Sequence, residues 1–290
     1  MAGPSMQKTE ELTKPLDYLV IGHITTDLTE KGPELGGTVT FSGLTAQALG
    51  LRTGIITAFA LETDVSPISR LLIENNVSPE TTTFKNISDG VTRTQFLYHK
   101  ALDLTADDIP TLSPPPAILH LGPVADEVNP DILGQFPKSL KCLTPQGWFR
   151  AVNDQDHVVP KPWKEVDDTL AQSDVAVISL EDVQYDEATI ARMAAAIPVF
   201  VVTENYKGAR IYWHNDARYI KAPKVKLVDD TGAGDIFATA FFYRYWMTRD
   251  PWEAGRFAVL LASWSINGYR LESIPTKAEI ERAKTEVFEI

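Results

Sequence analysis

Short apolar runs that alternate with segments of helical spacing limit the fold of this chain more than any other feature. The runs lie at 17–22, 53–60, 117–121, 140–143, 175–180 and 199–203. Runs this short and this apolar are typical of strands buried on both faces of a parallel sheet. Helical spacing follows at Phe41/Leu44/Ala48/Leu49, Ile68/Leu71/Leu72/Ile73, Ile190/Met193/Ala194, 235–247 and 251–266. The alternation predicts an α/β fold with a mainly parallel sheet.

One region interrupts this alternation and predicts a separate small β lid. Residues 81–104 are rich in Thr, Phe, Tyr and Val, with a turn at Ser88-Asp89-Gly90, which favours strands at 81–84 and 91–98. The segment 29–40, with its Gly-Pro and Gly-Gly pairs, would add to the same lid. The predicted organisation is a polar leader at 1–15 and one α/β domain at 16–290, with lid insertions at about 29–40 and 80–104.

Composition excludes several classes of protein. The 290 residues carry a net charge of −12, which argues against a nucleic-acid partner, because such proteins usually present a basic surface. No stretch approaches the ~18 apolar residues of a membrane span, and the polar start has no apolar signal region. A lone cysteine, Cys142, cannot form an intramolecular disulfide. We therefore predict a cytoplasmic protein without a membrane partner.

The strongest local motif is Val228-Asp229-Asp230-Thr231-Gly232-Ala233-Gly234-Asp235-Ile236-Phe237, which precedes a long helical segment. Gly232, Ala233 and Gly234 let successive backbone N–H groups approach a ligand, and a helix beginning here adds its positive dipole. The motif thus predicts an anion-binding turn. Asp235 would stand beside the anion, where a carboxylate can accept the proton of an attacking hydroxyl. Taken alone, the same residues also fit a helix cap and a tight turn.

The full run resembles the C-terminal signature of the ribokinase-like (PfkB) carbohydrate kinases, usually Asp-Thr-Thr-Gly-Ala-Gly-Asp, with Asp230 replacing one Thr. Three further segments are similar to that family, and all four occur in order along nearly the whole chain. They are Gly22 to Asp27 after the first strand, Leu35-Gly36-Gly37 before an apolar helix, and Val202 to Ala209. The resemblance implies a three-layer α/β/α domain with a β-sheet lid.

The resemblance also implies a role for each matching residue. Asp235 would be the general base, with Gly232, Ala233 and Gly234 donating to the transferred phosphoryl group. Asp27, Gly36 and Gly37 would bind the substrate. The nucleotide site would be lined by Thr203, Gly208, Ala209, Asn267 and Gly268, and a monovalent cation would lie near Asp229 and Thr231. The implied cofactors are ATP and Mg²⁺, with K⁺ as a further candidate.

The chain departs from the family pattern at two places. Phe41 stands where the family often has Asn after the paired glycines, which argues against ribose- or fructose-like recognition. The Asn-x-x-Glu element that organises magnesium is altered, leaving Glu181 or Asp182 to act through water. Gln146 and Arg150, in Pro145 to Arg150, resemble a substrate element of the subgroup that includes inositol kinases. Arg150 fits a surface salt bridge equally well.

The implied activity is ATP-dependent phosphorylation of a hydroxyl on a sugar or cyclic polyol, with myo-inositol as one candidate. A nucleoside kinase of the same fold and a degenerate, non-catalytic sugar- or nucleotide-binding module are the alternatives. An NAD-dependent oxidoreductase is excluded, because Gly22 is not followed by Gly-x-Gly-x-x-Gly. A P-loop kinase is excluded by the lack of a Gly-Lys dipeptide. The expected assembly is a monomer or a homodimer through the lid.

Overall fold

The computed structural model describes residues 14–88 and 93–286 and places them in a large sheet, flanking helices and a small lid sheet. The strands are β1 Tyr18–Ile21, β2 Thr25–Thr29, β3 Gly32–Gly36, β4 Thr53–Thr57, β5 Leu72–Asn75, β6 Thr82–Ser88, β7 Arg93–His99, β8 Ile118–Leu121, β9 Leu140–Leu143, β10 Arg150–Val152, β11 Val158–Pro160, β12 Val175–Ser179, β13 Val199–Thr203, β14 Gly208–Trp213 and β15 Asp216–Lys221. The α-helices are α1 Thr38–Ala48, α2 Val166–Ala171, α3 Glu187–Ala196, α4 Ala233–Thr248, α5 Pro251–Ser265 and α6 Lys277–Glu286.

The large sheet has nine strands in the order β15-β14-β13-β12-β9-β8-β1-β4-β5. Neighbours pair in parallel from β5 through β13, and β14 and β15 continue the sheet as antiparallel strands. All six runs predicted as buried strands are strands of this sheet. In open parallel sheets, ligands bind outside the carboxyl ends of the strands. A ligand site is therefore expected at the loops that follow β1, β8, β12 and β13.

Alternate side chains of the central strands enter two separate cores, as the two-residue period of a strand requires. Tyr18 and Val20 of β1 face the core that α1, α4, α5 and α6 cover. Leu19 and Ile21 face the core that α2 and α3 cover. The predicted three-layer α/β/α arrangement and mainly parallel sheet are therefore confirmed.

The lid is a four-stranded sheet in the order β3-β2-β6-β7. β2 pairs antiparallel with β3, and β6 pairs antiparallel with β7, while β2 and β6 run parallel where the two pairs join. The β10–β11 hairpin closes on the outer strand, since the Leu97 N–H donates to Asp156 O at 2.9 Å. Asp89 and Gly90 of the predicted turn and most of the predicted leader lie outside the described residues, and Ser88 is the last residue of β6.

Two expectations need correction. The helical face predicted at Ile68/Leu71/Leu72/Ile73 is wrong, because Ser66–Ile68 is a single 3₁₀ turn and Leu72–Asn75 is the edge strand β5. A cluster of four apolar residues is compatible with either a helix or a strand. Here the segment forms a strand because it pairs in parallel with β4. The first lid segment begins at Thr25 and ends at Gly36, not at 29–40, because the residues from Thr38 onward form α1.

Candidate active site

The turn that begins α4 has the geometry of an anion-binding site. Gly232 caps the helix in the left-handed conformation, with φ of 81°, and no side chain caps the helix. In the described part of the chain, Asp230 O accepts from the Ala233 N–H, whereas the N–H groups of Gly234 and Asp235 have no acceptor. Nothing lies within 4 Å of a Cβ built on Gly234, so this side of the turn is open. Two donors and the helix dipole are therefore available to an anion.

The Phe41 side chain packs against this turn at Gly232. Its ring is buried, and a Cβ added to Gly232 would lie 2.2 Å from the Phe41 Cδ1 atom. The aromatic residue that replaces the family's Asn therefore packs against the turn and helps to fix its conformation. Glycine at 232 is required both by the positive φ and by this contact.

Asp235 is a carboxylate whose surroundings favour proton exchange near neutral pH. Burial, and to a smaller extent the negative charge of Asp27, raise its pKa from an ordinary value of 3.8 to a net value of about 6. A hydrogen bond with the Thr38 side chain and the charge of Arg150 act in the opposite direction. A base with a pKa slightly below the working pH is ionised and still able to take a proton, which suits general-base catalysis.

The paired glycines Gly36 and Gly37 bring the lid onto the body. A Cβ on Gly36 would lie 2.5 Å from the Asp27 carboxylate oxygen Oδ2, so that carboxylate rests directly against the backbone. Gly37 caps α1 with φ of 91°, and a Cβ there would lie 2.3 Å from His23 O. Thr38, the first residue of α1, thereby reaches Asp235. The residues predicted to bind the substrate and the predicted base thus lie near one another.

Arg270, which no sequence motif singles out, lies directly against Asp27 in the predicted substrate region. Its Nη2 atom donates to Asp27 Oδ2 at 2.6 Å and to Leu35 O at 3.0 Å. Its Nε atom lies 3.0 Å from Glu34 Oε2, at an angle that does not make a hydrogen bond, so this contact is electrostatic. The Arg270 side chain is only 10% exposed. Asp27 is therefore ion-paired before any substrate binds.

Asp229 and Thr231, the predicted neighbours of a monovalent cation, are bonded to each other. Asp229 Oδ1 accepts from the Thr231 N–H and hydroxyl, and Oδ2 accepts from the Arg270 N–H at 3.0 Å. Burial tends to raise the pKa of Asp229, but these hydrogen bonds outweigh it and the pKa is lowered. Asp229 stays ionised and holds the loop ahead of the anion-binding turn, and the cation remains a prediction.

Gln146 and Arg150 meet the altered magnesium element. The Gln146 amide donates to Asp182 Oδ1 at 3.2 Å, and the Arg150 charge acts on both Asp182 and Asp235. Burial raises the pKa of Asp182 despite these partners. Glu181 is exposed and accepts from the Asn205 amide at 2.9 Å. Residues 14–88 and 93–286 contain no group of three His, Cys, Asp or Glu side chains that could cage a metal ion.

The predicted nucleotide side is built mainly from backbone. Thr203 and Ala209 are register partners in β13 and β14, and Ala209 is fully buried. Gly208 has φ of 128°, and a Cβ there would lie 2.0 Å from Ile220 O. Asn267 is exposed and Gly268 partly exposed just beyond α5, where the N–H groups of Val228 and Asp229 donate to Ile266 O. That contact places the Asn267-Gly268 loop beside the anion-binding motif.

A buried hydrogen-bond network supports the body beneath Asp235. Tyr18 Oη lies 2.7 Å from His120 Nδ1 and 3.3 Å from Thr239 Oγ1, one turn beyond Asp235 in α4. His120 Nε2 lies 2.7 Å from Thr144 Oγ1. Burial lowers the pKa of His120 to about 3 and keeps Tyr18 protonated. His120 is thus a neutral, satisfied core residue, as expected for a histidine in an apolar strand.

Sequence reasoning missed Thr38 and Arg270. A signal for Arg270 existed in the lid, because a hairpin with its turn at Glu30-Lys31 places Asp27 directly opposite Glu34. Two like charges opposite one another on paired strands repel, so a cation must lie nearby. Which cation supplies the charge depends on the tertiary fold and has no local signature.

Comparison with known proteins finds a family model that matches part of the chain and solved structures of similar fold. Residues 154–277 match the family described as pfkB family carbohydrate kinase. A probable fructokinase-5 of Arabidopsis thaliana is 32% identical over 80 residues, which is 27% of this chain and only 25% of that protein. A pyrophosphate-dependent kinase in the ribokinase family, solved with a pyrophosphate analog and myo-inositol, is 21% identical. It superposes with a TM-score of 0.75 over 92% of this chain and 99% of its own.

A nucleoside kinase of Methanocaldococcus jannaschii, described as an archaeal member of the ribokinase family, is 15% identical. Its TM-score is 0.69, over 93% of this chain and 98% of its own. Identities this low establish a shared fold and leave the substrate undetermined. Within the described chain, no helix has both the length and the apolar character needed to cross a bilayer.

Proposed function

We propose that this chain transfers a phosphoryl group to a hydroxyl of a sugar or cyclic polyol, because residues 154–277 match the pfkB carbohydrate kinase family and the fold is ribokinase-like. The single observation that carries this proposal is the pairing of Asp235 with the open turn at the start of α4. A carboxylate with a pKa of about 6 stands next to two unused backbone donors. Phosphoryl transfer needs a base for the acceptor and positive potential for the phosphoryl oxygens, and little else.

In the proposed reaction, Asp235 accepts the proton of the acceptor hydroxyl as the hydroxyl oxygen attacks the terminal phosphorus of the donor, and the P–O bond to the rest of the donor breaks, releasing ADP from ATP or phosphate from pyrophosphate. The hydrogen bond from Thr38 and the charge of Arg150 hold the carboxylate in place and favour its ionised form. The N–H groups of Gly234 and Asp235 bind the oxygens of the phosphoryl group in transit, where charge must be stabilised. The chain supplies this positive potential from backbone, so its net charge of −12 is no obstacle.

The donor is expected to bind between the turn and the loops after β13 and α5. ATP is the first candidate, held by the backbone around Thr203, Gly208 and Ala209 and by the Asn267-Gly268 loop. The segment leading into the turn contributes two exposed lysines, Lys224 and Lys226, that suit a polyphosphate. Pyrophosphate deserves a parallel test, because a kinase of similar fold is described as pyrophosphate-dependent.

The acceptor is expected to lie between the lid and Asp235, bound by Asp27 and by the backbone at Gly36 and Gly37. A carboxylate that accepts from hydroxyls suits a neutral polyol, and myo-inositol is a specific candidate because a kinase of similar fold was solved with it. A nucleoside is the rival acceptor, supported by the similar fold of the archaeal nucleoside kinase. A non-catalytic module is the remaining alternative, and the complete run from Gly232 to Asp235 argues against it.

The residues present fit a magnesium ion that reaches the protein largely through water. Mg²⁺ commonly uses one or two carboxylates together with substrate phosphates, so the lack of a metal cage in the described residues is no conflict. Glu181 and Asp182 would hold such an ion through water. When bound, it would neutralise charge on the donor phosphates. K⁺ near Asp229 and Thr231, cytoplasmic location and a lid-mediated homodimer remain predictions.

The test is a matrix of two donors and four acceptor classes. ATP and pyrophosphate are each combined with inositols, hexoses, pentoses and nucleosides, in the presence of Mg²⁺ and with or without K⁺. Product is measured as phosphorylated acceptor by ³¹P NMR, which avoids confusion with simple donor hydrolysis. Acceptor-dependent product that disappears in Asp235→Asn supports the proposal. Binding of a sugar or nucleotide without product in any combination would support the non-catalytic module instead.

A further inference from the structure

The β2–β3 hairpin of the lid contains a like-charged pair at the substrate site. Asp27 and Glu34 are direct register partners, so both carboxylates project from the same face. Their side chains are only 15% and 24% exposed, so water screens their repulsion poorly. Like charges directly opposite each other destabilise a strand pair. The hairpin therefore needs a cation at this position to keep its geometry.

Arg270 supplies that cation from the far end of the chain. Its guanidinium contacts Asp27 Oδ2, Glu34 Oε2 and the Leu35 carbonyl oxygen, thereby bridging both strands of the hairpin. The neighbouring Tyr269 hydroxyl lies 3.0 Å from Glu34 Oε2, and the Lys31 ammonium lies 3.6 Å from the centre of the Tyr269 ring. These two consecutive residues therefore hold the hairpin along its length.

The backbone of the same residue holds the anion-binding loop. The Arg270 N–H donates to Asp229 Oδ2, and Asp229 Oδ1 accepts from Thr231, immediately before Gly232. Arg270 has φ of 45°, a left-handed conformation that a side chain rarely adopts, so these contacts fix an otherwise unfavourable backbone. Arg270 thus connects Asp27, the carboxylate proposed to bind the acceptor, to the turn proposed to bind the phosphoryl group.

We propose that Arg270 is the positioning residue for Asp27, fixing the distance between the lid hairpin and the phosphoryl-binding turn. This inference rests on the proposed function in one respect, namely that Asp27 binds the acceptor. Its structural content, a link between hairpin and turn, does not depend on catalysis. In the kinase reaction, the link keeps the bound hydroxyl in line with phosphorus, where a small displacement costs much of the rate.

Hydrogen exchange in the ligand-free protein tests the link without any assay of activity. In Arg270→Met, we expect the peptide amides of 25–36 to exchange at least about tenfold faster, because removing one partner of a buried ion pair is strongly destabilising. Arg270→Lys should recover part of this protection. The matched control is Arg244→Met, which breaks the comparably buried pair with Glu253 between α4 and α5 and should leave 25–36 unchanged. Unchanged exchange in Arg270→Met, or an equal increase in both Met variants, would overturn the proposal.

A double mutant separates charge bridging from general loosening. Glu34→Gln removes one of the two opposed charges, so the acceleration caused by Arg270→Met should be several-fold smaller in that background. An acceleration of the same size in both backgrounds counts against the bridge.

With the acceptor identified by the donor–acceptor matrix, Arg270→Met should lower kcat/KM for the acceptor about tenfold while the donor KM stays near its original value. An unchanged kcat/KM for the acceptor contradicts the positioning role. If the wild-type protein transfers no phosphoryl group, the proposed function fails, and hydrogen exchange still decides whether the link exists.

Discussion

Replacing Asp235 by Asn should make the protein more stable and at the same time inactive as a kinase. The carboxylate is expensive to keep ionised where it lies, because burial disfavours its charge. Asn is of nearly the same size and keeps an oxygen that can accept from Thr38. The substitution therefore removes the cost of burying a charge and leaves the packing of α4 intact.

The magnitude follows from the shift in pKa. A value of about 6 in the folded protein, against 3.8 for an ordinary Asp, corresponds to about 3 kcal/mol lost from the free energy of unfolding at neutral pH. For a chain of 290 residues this is about 5 °C in Tm. Because the folded pKa is raised, the cost is complete above about pH 6 and disappears as pH falls toward 3.8.

The assay is thermal unfolding of wild type and Asp235→Asn from pH 8 down to pH 4, with Asp154→Asn, at an exposed position outside the helices and strands, as a surface control. The difference in Tm should be largest at pH 8 and shrink below pH 6, while the control should match the wild type throughout. In parallel, kcat/KM of the wild type should fall about tenfold per unit below pH 6, and the variant should lose ~10² or more of its activity. An Asn variant that is no more stable at pH 8, or whose advantage does not depend on pH, would refute the reasoning.

Three further substitutions test the anion-binding turn and the hydrogen-bond network around Tyr18. Gly232→Ala should lower both Tm and turnover, because the added Cβ would clash with the Phe41 ring. Gly234→Ala should keep the wild-type Tm and raise the donor KM, since its methyl group enters the open space where the donor is expected. Equal effects of the two variants on Tm would contradict this contrast. Tyr18→Phe removes the hydroxyl that bonds His120 and should cost about 1–3 kcal/mol in urea unfolding with little change in either KM, and an unchanged midpoint would show that the hydroxyl contributes nothing.

The sequence predicted the main sheet well because its strands are buried on both faces. Runs such as 175–180 contain few polar residues, and only a parallel sheet covered by helices can bury them. The strand β5 escaped prediction because it lies at the sheet edge and its four residues are too few to show a period. The parallel pairing of β2 with β6 also escaped, since it joins residues 57 positions apart that share no local pattern.

The candidate site was predictable where its chemistry resides in contiguous residues. Asp229 to Asp235 forms one turn, so its glycines and carboxylate could be read together from the chain. Arg270 contacts Asp27 across 243 residues, and nothing next to either residue indicates the pair. The role of Phe41 could not be predicted from the sequence either. The sequence shows that the family's Asn is absent at this position, but only the folded structure shows that the Phe41 ring packs against Gly232.

The place of Arg270 near the end of the chain has a consequence for synthesis. A ribosome makes the opposed carboxylates of the hairpin first and their counter-ion 243 residues later, a delay of about 12–50 s at ordinary elongation rates. During that interval, Asp27 and Glu34 are two neighbouring negative charges without the guanidinium of Arg270 between them. In nascent chains, the two strands of this hairpin should therefore pair less stably until residue 270 has been synthesised.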